Sequence, residues 1–113
     1  MINYKIEEGK LEHYTPLFTI KVYGETYGFE FQHSHPSPLD NPEPRYTTCR
    51  IARLGKDDHW YFMQIGVFVC SLRDQFSRSL GRRIAFGRAV KLFWGDHKHY
   101  YKLVLGSYPK GHA

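Results

Sequence analysis

A chain of 113 residues with 16 Lys and Arg against 11 Asp and Glu has the size of one domain, 1–113, and a moderate formal charge of +5. Hydrophobic residues at 42% and charged residues at 24% exclude an intrinsically disordered chain, and no run reaches the ~18 apolar residues of a membrane span. Aromatic residues at 17%, with nine Tyr and eight Phe, lean the composition towards sheet.

The opening Met1-Ile2-Asn3-Tyr4-Lys5 lacks the charged and apolar regions of a signal peptide. Leu17–Tyr23 and Thr26–Gln32 then alternate apolar and polar residues around Gly24-Glu25, which suits a two-residue hairpin turn. That turn pairs Val22 with Tyr27, Ile20 with Phe29 and Phe18 with Phe31, all six on one face. His33–Arg45 follows, where Pro36, Pro38, Pro42 and Pro44 exclude a helix or a central strand and leave a long loop.

Thr47–Leu54 and Trp60–Cys70 read as a second hairpin, with the turn near Lys56–His59 and Cys49 opposite the neighbourhood of Ile65. Cys70 then lies too far along the second strand to bond Cys49, so both thiols are expected reduced, as in the cytoplasm. Ile65, Val67, Phe68 and Val69 put apolar side chains on both faces, which predicts a central strand covered on both sides.

Ser71 to about Phe93 is the helix candidate, capped by Ser71 with Asp74 three residues on. Its apolar stripe is Leu72, Phe76, Leu80, Ile84, Gly87 and Val90, Gly95 ends it, and Lys91 suits its C-terminal dipole. Tyr100–Leu105 reads as a last strand. The expected fold is α+β: an antiparallel sheet of four or five strands packed on one long helix, in the order β-β-β-β-α-β. Its core is expected to bring Phe76, Leu80 and Ile84 onto Phe18, Ile20, Phe29, Ile65 and Val67.

Asp74–Ala89 is the most distinctive stretch. On a helical wheel Arg78 and Arg82 stand one turn apart, away from the apolar stripe. Gly81, Ala85 and Ala89 form a small-residue ridge beside them, with Arg88 on its other flank. Small residues let another backbone approach, and guanidiniums grip phosphates or carboxylates bidentately, so this face can dock an anionic partner. The plainer reading is a solvated basic face whose small residues permit close packing within the fold.

The pattern Phe76-Ser77-Arg78, Gly81-Arg82, Ile84-Ala85 and Gly87-Arg88-Ala89 resembles a stretch of small orphan accessory proteins of tailed bacteriophages. The resemblance implies a phage or mobile-element accessory protein acting inside the host cell. Small proteins of that setting often act by stoichiometric binding to host machinery, including immune effectors, so the resemblance implies an inhibitor of the anti-CRISPR kind as the expectation. No catalytic residue carries over from the resemblance, and no cofactor is expected.

Other chemistry is less specific. His33-Ser34-His35, His59 beside Asp57 and Asp58, and His97-Lys98-His99 offer imidazoles; His97 and His99, alternating on a strand, can ligate one metal as in a small metal-dependent nuclease. No CxxC, HExxH or HNH pattern accompanies them, and surface histidines are the default. Tyr23, Trp60, Phe62 and Tyr101 with Lys21, Arg50 and Lys102 can form a base-stacking platform, although aromatics more often fill cores or homodimer interfaces. No Gly-x-Ser-x-Gly and no glycine-rich phosphate loop is present. The favoured reading is a non-enzymatic binding protein whose partner is a host nucleoprotein effector or a nucleic acid, contacted through Arg78, Arg82 and Arg88.

Overall fold

The computed structural model describes residues 9–36, 43–71 and 74–110. Five antiparallel strands, β1 (Lys10–Leu11), β2 (Phe18–Val22), β3 (Glu25–His33), β4 (Tyr46–Leu54) and β5 (Trp60–Val69), form one sheet in the order β1-β5-β4-β3-β2. Two helices follow, α1 (Arg78–Trp94) and α2 (Lys98–Leu105). The α+β class and the antiparallel sheet agree with the patterning. The helical part differs: Tyr100–Leu105 is helical, so the chain ends in two helices and not in helix then strand.

The β2–β3 hairpin turns at Tyr23-Gly24, both in the left-handed region with φ of 49° and 82°. This pairs Val22 with Glu25, Ile20 with Tyr27 and Phe18 with Phe29, two residues away from the expected register. An even shift keeps every side chain on its face, so Phe18, Ile20, Val22, Tyr27, Phe29 and Phe31 still point to the core side. A tyrosine in the left-handed region costs about 1–2 kcal/mol. The contact of its ring with Tyr100, centroids 4.9 Å apart, favours that conformation.

β4 and β5 pair from Tyr46↔Val69 to Leu54↔Trp60, with Cys49 opposite Gly66 and a bulge at Met63. Both cysteines are buried and free, and burial drives the Cys49 thiol pKa upward. β5 is not central. Beyond it lies only the two-residue β1, opposite Trp60 and Tyr61, so among the described residues β5 is bordered at one end only. Ile65, Val67 and Val69 lie on the face away from the helices and stay partly in water, Val69 being 54% exposed.

α1 begins six residues later than expected. Ser77, not Ser71, is its N-cap, and its side chain accepts from Leu80 N–H at 3.3 Å. The expected stripe is turned: Leu80 is 52% exposed, whereas Gly81, Ala85, Phe86, Ala89, Val90 and Trp94 are buried. Leu72 and the middle of the proline-rich loop, with Pro38 and Pro42, lie outside the described residues. α1 crosses β4 and β5 while α2 packs beside it over β2. Between helices and sheet lie Ile20, Val22, Phe29, Cys49, Ile51, Phe86, Val90, Trp94 and Val104. On the opposite face the stretch before β2 folds over β3 and β4: Tyr14 O–H donates to Arg50 O at 2.7 Å, and Thr15 N–H donates to Glu30 Oε2 at 3.0 Å. None of the helices is long and apolar enough to cross a membrane among the described residues.

Candidate functional site

The small-residue ridge faces inward. Ala85 and Ala89 meet Gly66 of β5, and Gly81 meets Thr47 of β4, so closely that a β-carbon on Gly66 would lie 2.5 Å from Ala85 O. Gly81, Ala85 and Ala89, which docking of a partner would need on an open face, are buried in helix–sheet packing, as the plainer reading of the ridge has it. The arginines that flank the ridge separate to its two sides. Arg88 lies at the β5 edge, where its Nη1 donates to Val67 O at 2.9 Å and its guanidinium sits 5.6 Å from the Phe68 ring. A surface cavity of about 530 Å³ opens there among Val67, Arg88, Lys91, Leu92 and Asp96.

Arg78 and Arg82 lie at the other side, where β3 ends. There His33 of β3 sits opposite Thr47 of β4, and its Nδ1 lies 2.7 Å from Thr47 Oγ1. Arg82 Nη1 approaches His33 Nε2 at 3.5 Å. An arginine can only donate, so the neutral ring accepts at Nε2 and gives its Nδ1–H to Thr47. Phe76 packs edge-on against His33, with centroids 5.8 Å apart, and carries the guanidinium of Arg45 over its face at 4.3 Å. Arg45 Nε also donates to Ser34 O at 3.2 Å, and the Ser34–Tyr46 backbone bond, 2.9 Å, closes the base of the loop. A surface cavity of about 460 Å³ lined by Gln32, His33, Ser34, His35 and Tyr46 adjoins this cluster.

The charges in this cluster have one sign. Burial first, then the positive charges of Arg82, Arg78 and Arg45, hold the His33 imidazole below its ordinary pKa. The ion pairs among the described residues lie elsewhere, Glu30 with Arg50, Glu25 with Arg53 and Asp57 with His59. The first turn of α1 holds no acidic residue. Arg82 Nε is buried and without a hydrogen-bond partner in the described structure, a state that costs about 1–3 kcal/mol for a buried donor. The cluster contains two residues that helix periodicity singles out, Arg78 and Arg82, and two that it misses, Arg45 and His33. The pairing of β3 with β4, which brings the two ends of the proline-rich loop together, is the signal that finds them.

The other candidates do not assemble. His97 precedes α2 and His99 lies in its first turn, two residues apart, where helical geometry points side chains in different directions. Among the described residues no group of three or more His, Cys, Asp or Glu is placed to hold a metal. The aromatic platform is dispersed: Tyr23 packs on Tyr100 at the hairpin turn, Trp60 on Tyr14 at 5.2 Å on the far face, and Tyr101 against the core from α2. Arg50 is engaged by Glu30, its Nε donating to Oε1 at 2.9 Å.

No protein-family model, curated protein or solved structure matches this chain.

Proposed function

We propose that the chain is a non-enzymatic binding protein that engages an anionic macromolecule through the arginines at the end of β3. The observation that carries this reading is the gathering of Arg45, Arg78 and Arg82 around His33 with no ion pair to a carboxylate among the described residues. Uncompensated guanidiniums held near one another repel, and an anionic partner removes that repulsion while using their donor forks. Arg88, at the β5 edge, takes no part in this site. Together with the phage-like pattern of Asp74–Ala89, the cluster supports an accessory protein that binds and inhibits a host defence or nucleic-acid complex.

The test is capture of partners from bacterial lysate on immobilised protein, with and without nuclease, repeated with the Arg45→Ala, Arg78→Ala, Arg82→Ala triple variant. Arg78 is exposed, but Arg82 has its Nε buried and Arg45 stacks on Phe76, so circular dichroism and thermal melting of the variant are measured alongside to separate a lost contact from a lost fold. Loss of a nucleoprotein or nucleic acid that the wild type retains, with the Arg88→Ala variant still binding, is the expected result. Equal capture by wild type and triple variant removes the assignment.

A further inference from the structure

The cluster at the end of β3 has more specific chemistry than general positive charge, and a ligand class for it rests on the proposed function, in which these arginines meet an anion. A carboxylate presents two oxygens, and this fold satisfies its own buried carboxylate, Glu30, with one guanidinium and one backbone N–H. The His33 cluster brings three guanidiniums from two elements: Arg45 from the approach to β4, and Arg78 and Arg82 from successive turns at the start of α1. Three forks exceed what one carboxylate can accept, but suit a tetrahedral group with several charged oxygens. The positive end of the α1 dipole adds to the same field.

Arg82 is poised to change partner. Its contact with His33 is long, 3.5 Å, and its Nε has no acceptor, so the guanidinium gives up little on turning towards a ligand. Every charged group acting on His33 among the described residues is an arginine, from α1 and from the residue before β4; Thr47 and Phe76 contact its ring, and His35 is the second titratable side chain lining the adjoining cavity. Burial is the first cause of the neutral His33 and the arginine field the second; a dianion placed among these arginines offsets the second, and Arg82 turning away frees Nε2 to accept a proton.

We infer that Arg45, Arg78, Arg82 and His33 form a seat for a tetrahedral phosphoryl-type oxyanion, and that His33 takes up a proton when the seat is filled. By linkage, an anion that raises the His33 pKa binds more tightly as the pH falls through that pKa. Affinity therefore increases on acidification from neutrality, and levels off once His33 is protonated in both free and bound protein.

The probe is inorganic sulfate, which stays dianionic between about pH 5 and pH 8, compared with chloride at equal ionic strength. The readout is the His33 ring titration by NMR in the intact chain. Sulfate is expected to raise the His33 pKa, and Arg82→Lys, which keeps the charge but loses the fork, to weaken sulfate binding by about tenfold; Arg88→Lys is the control and should bind as wild type does. A His33 titration that sulfate does not move, or equal binding by Arg82→Lys and wild type, overturns the inference. Repeating the titration with a 5′-phosphorylated single-stranded oligonucleotide separates sources. Binding much tighter than that of sulfate places the phosphate on a nucleic-acid strand, and equal binding points to a free oxyanion. Partner capture that needs the three arginines while sulfate leaves His33 unmoved defeats this inference alone. A sulfate response with no arginine-dependent capture defeats the macromolecular reading alone.

Discussion

Gly66 and the residues facing it set how close α1 can come to the sheet. A β-carbon at Gly66 would stand 2.4 Å from Ala89 N, 2.5 Å from Ala85 O and 2.8 Å from Ala89 Cα, all backbone atoms that cannot swing aside. Gly66→Ala is therefore expected to destabilise the fold at or beyond the upper end of the ~1–3 kcal/mol typical of overpacking, read as a lower denaturation midpoint at unchanged slope. Gly81 is similar but milder, because the atom its β-carbon would meet first is the Thr47 hydroxyl, which can rotate and release His33 in doing so. The motif that sets Asp74–Ala89 apart is thus largely a packing motif. Its glycine and alanines are legible as small residues on one side of a helix. What the sequence alone does not supply is the glycine on another strand that they fit against.

At the scale of elements, alternation locates β2, β3, β4 and β5 nearly to their ends, because a sheet with one face in a core writes its period of two directly into the chain. The helices are harder. In α1 the large apolar residues suggest one stripe, yet a helix lying close to a sheet buries its small side and lets large side chains such as Leu80 project from the flank. Replacing Leu80 by Gln should change stability by less than about 0.5 kcal/mol, as at an ordinary surface position. Phe86→Ala should cost about 3–5 kcal/mol, because the ring is buried against Phe18, Phe29 and Tyr108. Chemical denaturation of the two variants side by side tests the rotation of the helix. In α2 the run Tyr100–Leu105 is short enough to read as a strand, but Tyr100, Tyr101, Val104, Leu105 and Tyr108 all pack towards the core, a spacing of 3.6 and not of two. The His97–His99 pair loses its shared direction with that change, and the metal reading loses its geometry.

Across the whole molecule the +5 charge is unevenly used. Some arginines are neutralised in place, such as Arg50 by Glu30 and Arg53 by Glu25, whereas the group around His33 is concentrated at one end of the sheet. The candidate site is only half legible in the sequence because it is built by the β3–β4 pairing, which joins residues separated by the proline-rich loop. Arg88 belongs to a different part of the surface, and its position there bears on what many copies of the chain do together. An open sheet border with apolar residues invites another strand. Here two of the outward backbone groups of β5 are occupied by side chains of the same chain: Gln64 Oε1 accepts from Ile65 N–H at 2.9 Å, and Arg88 donates to Val67 O. Removing both guards, Gln64→Ala with Arg88→Ala, should leave the monomer folded but make its sedimentation concentration-dependent at low millimolar protein, while the wild type stays monodisperse. Equal behaviour of the two would show that the border needs no guard. Association of the double variant alone would instead mean that one arginine of the helix owes its place to keeping copies of the chain apart, a role unrelated to any ligand.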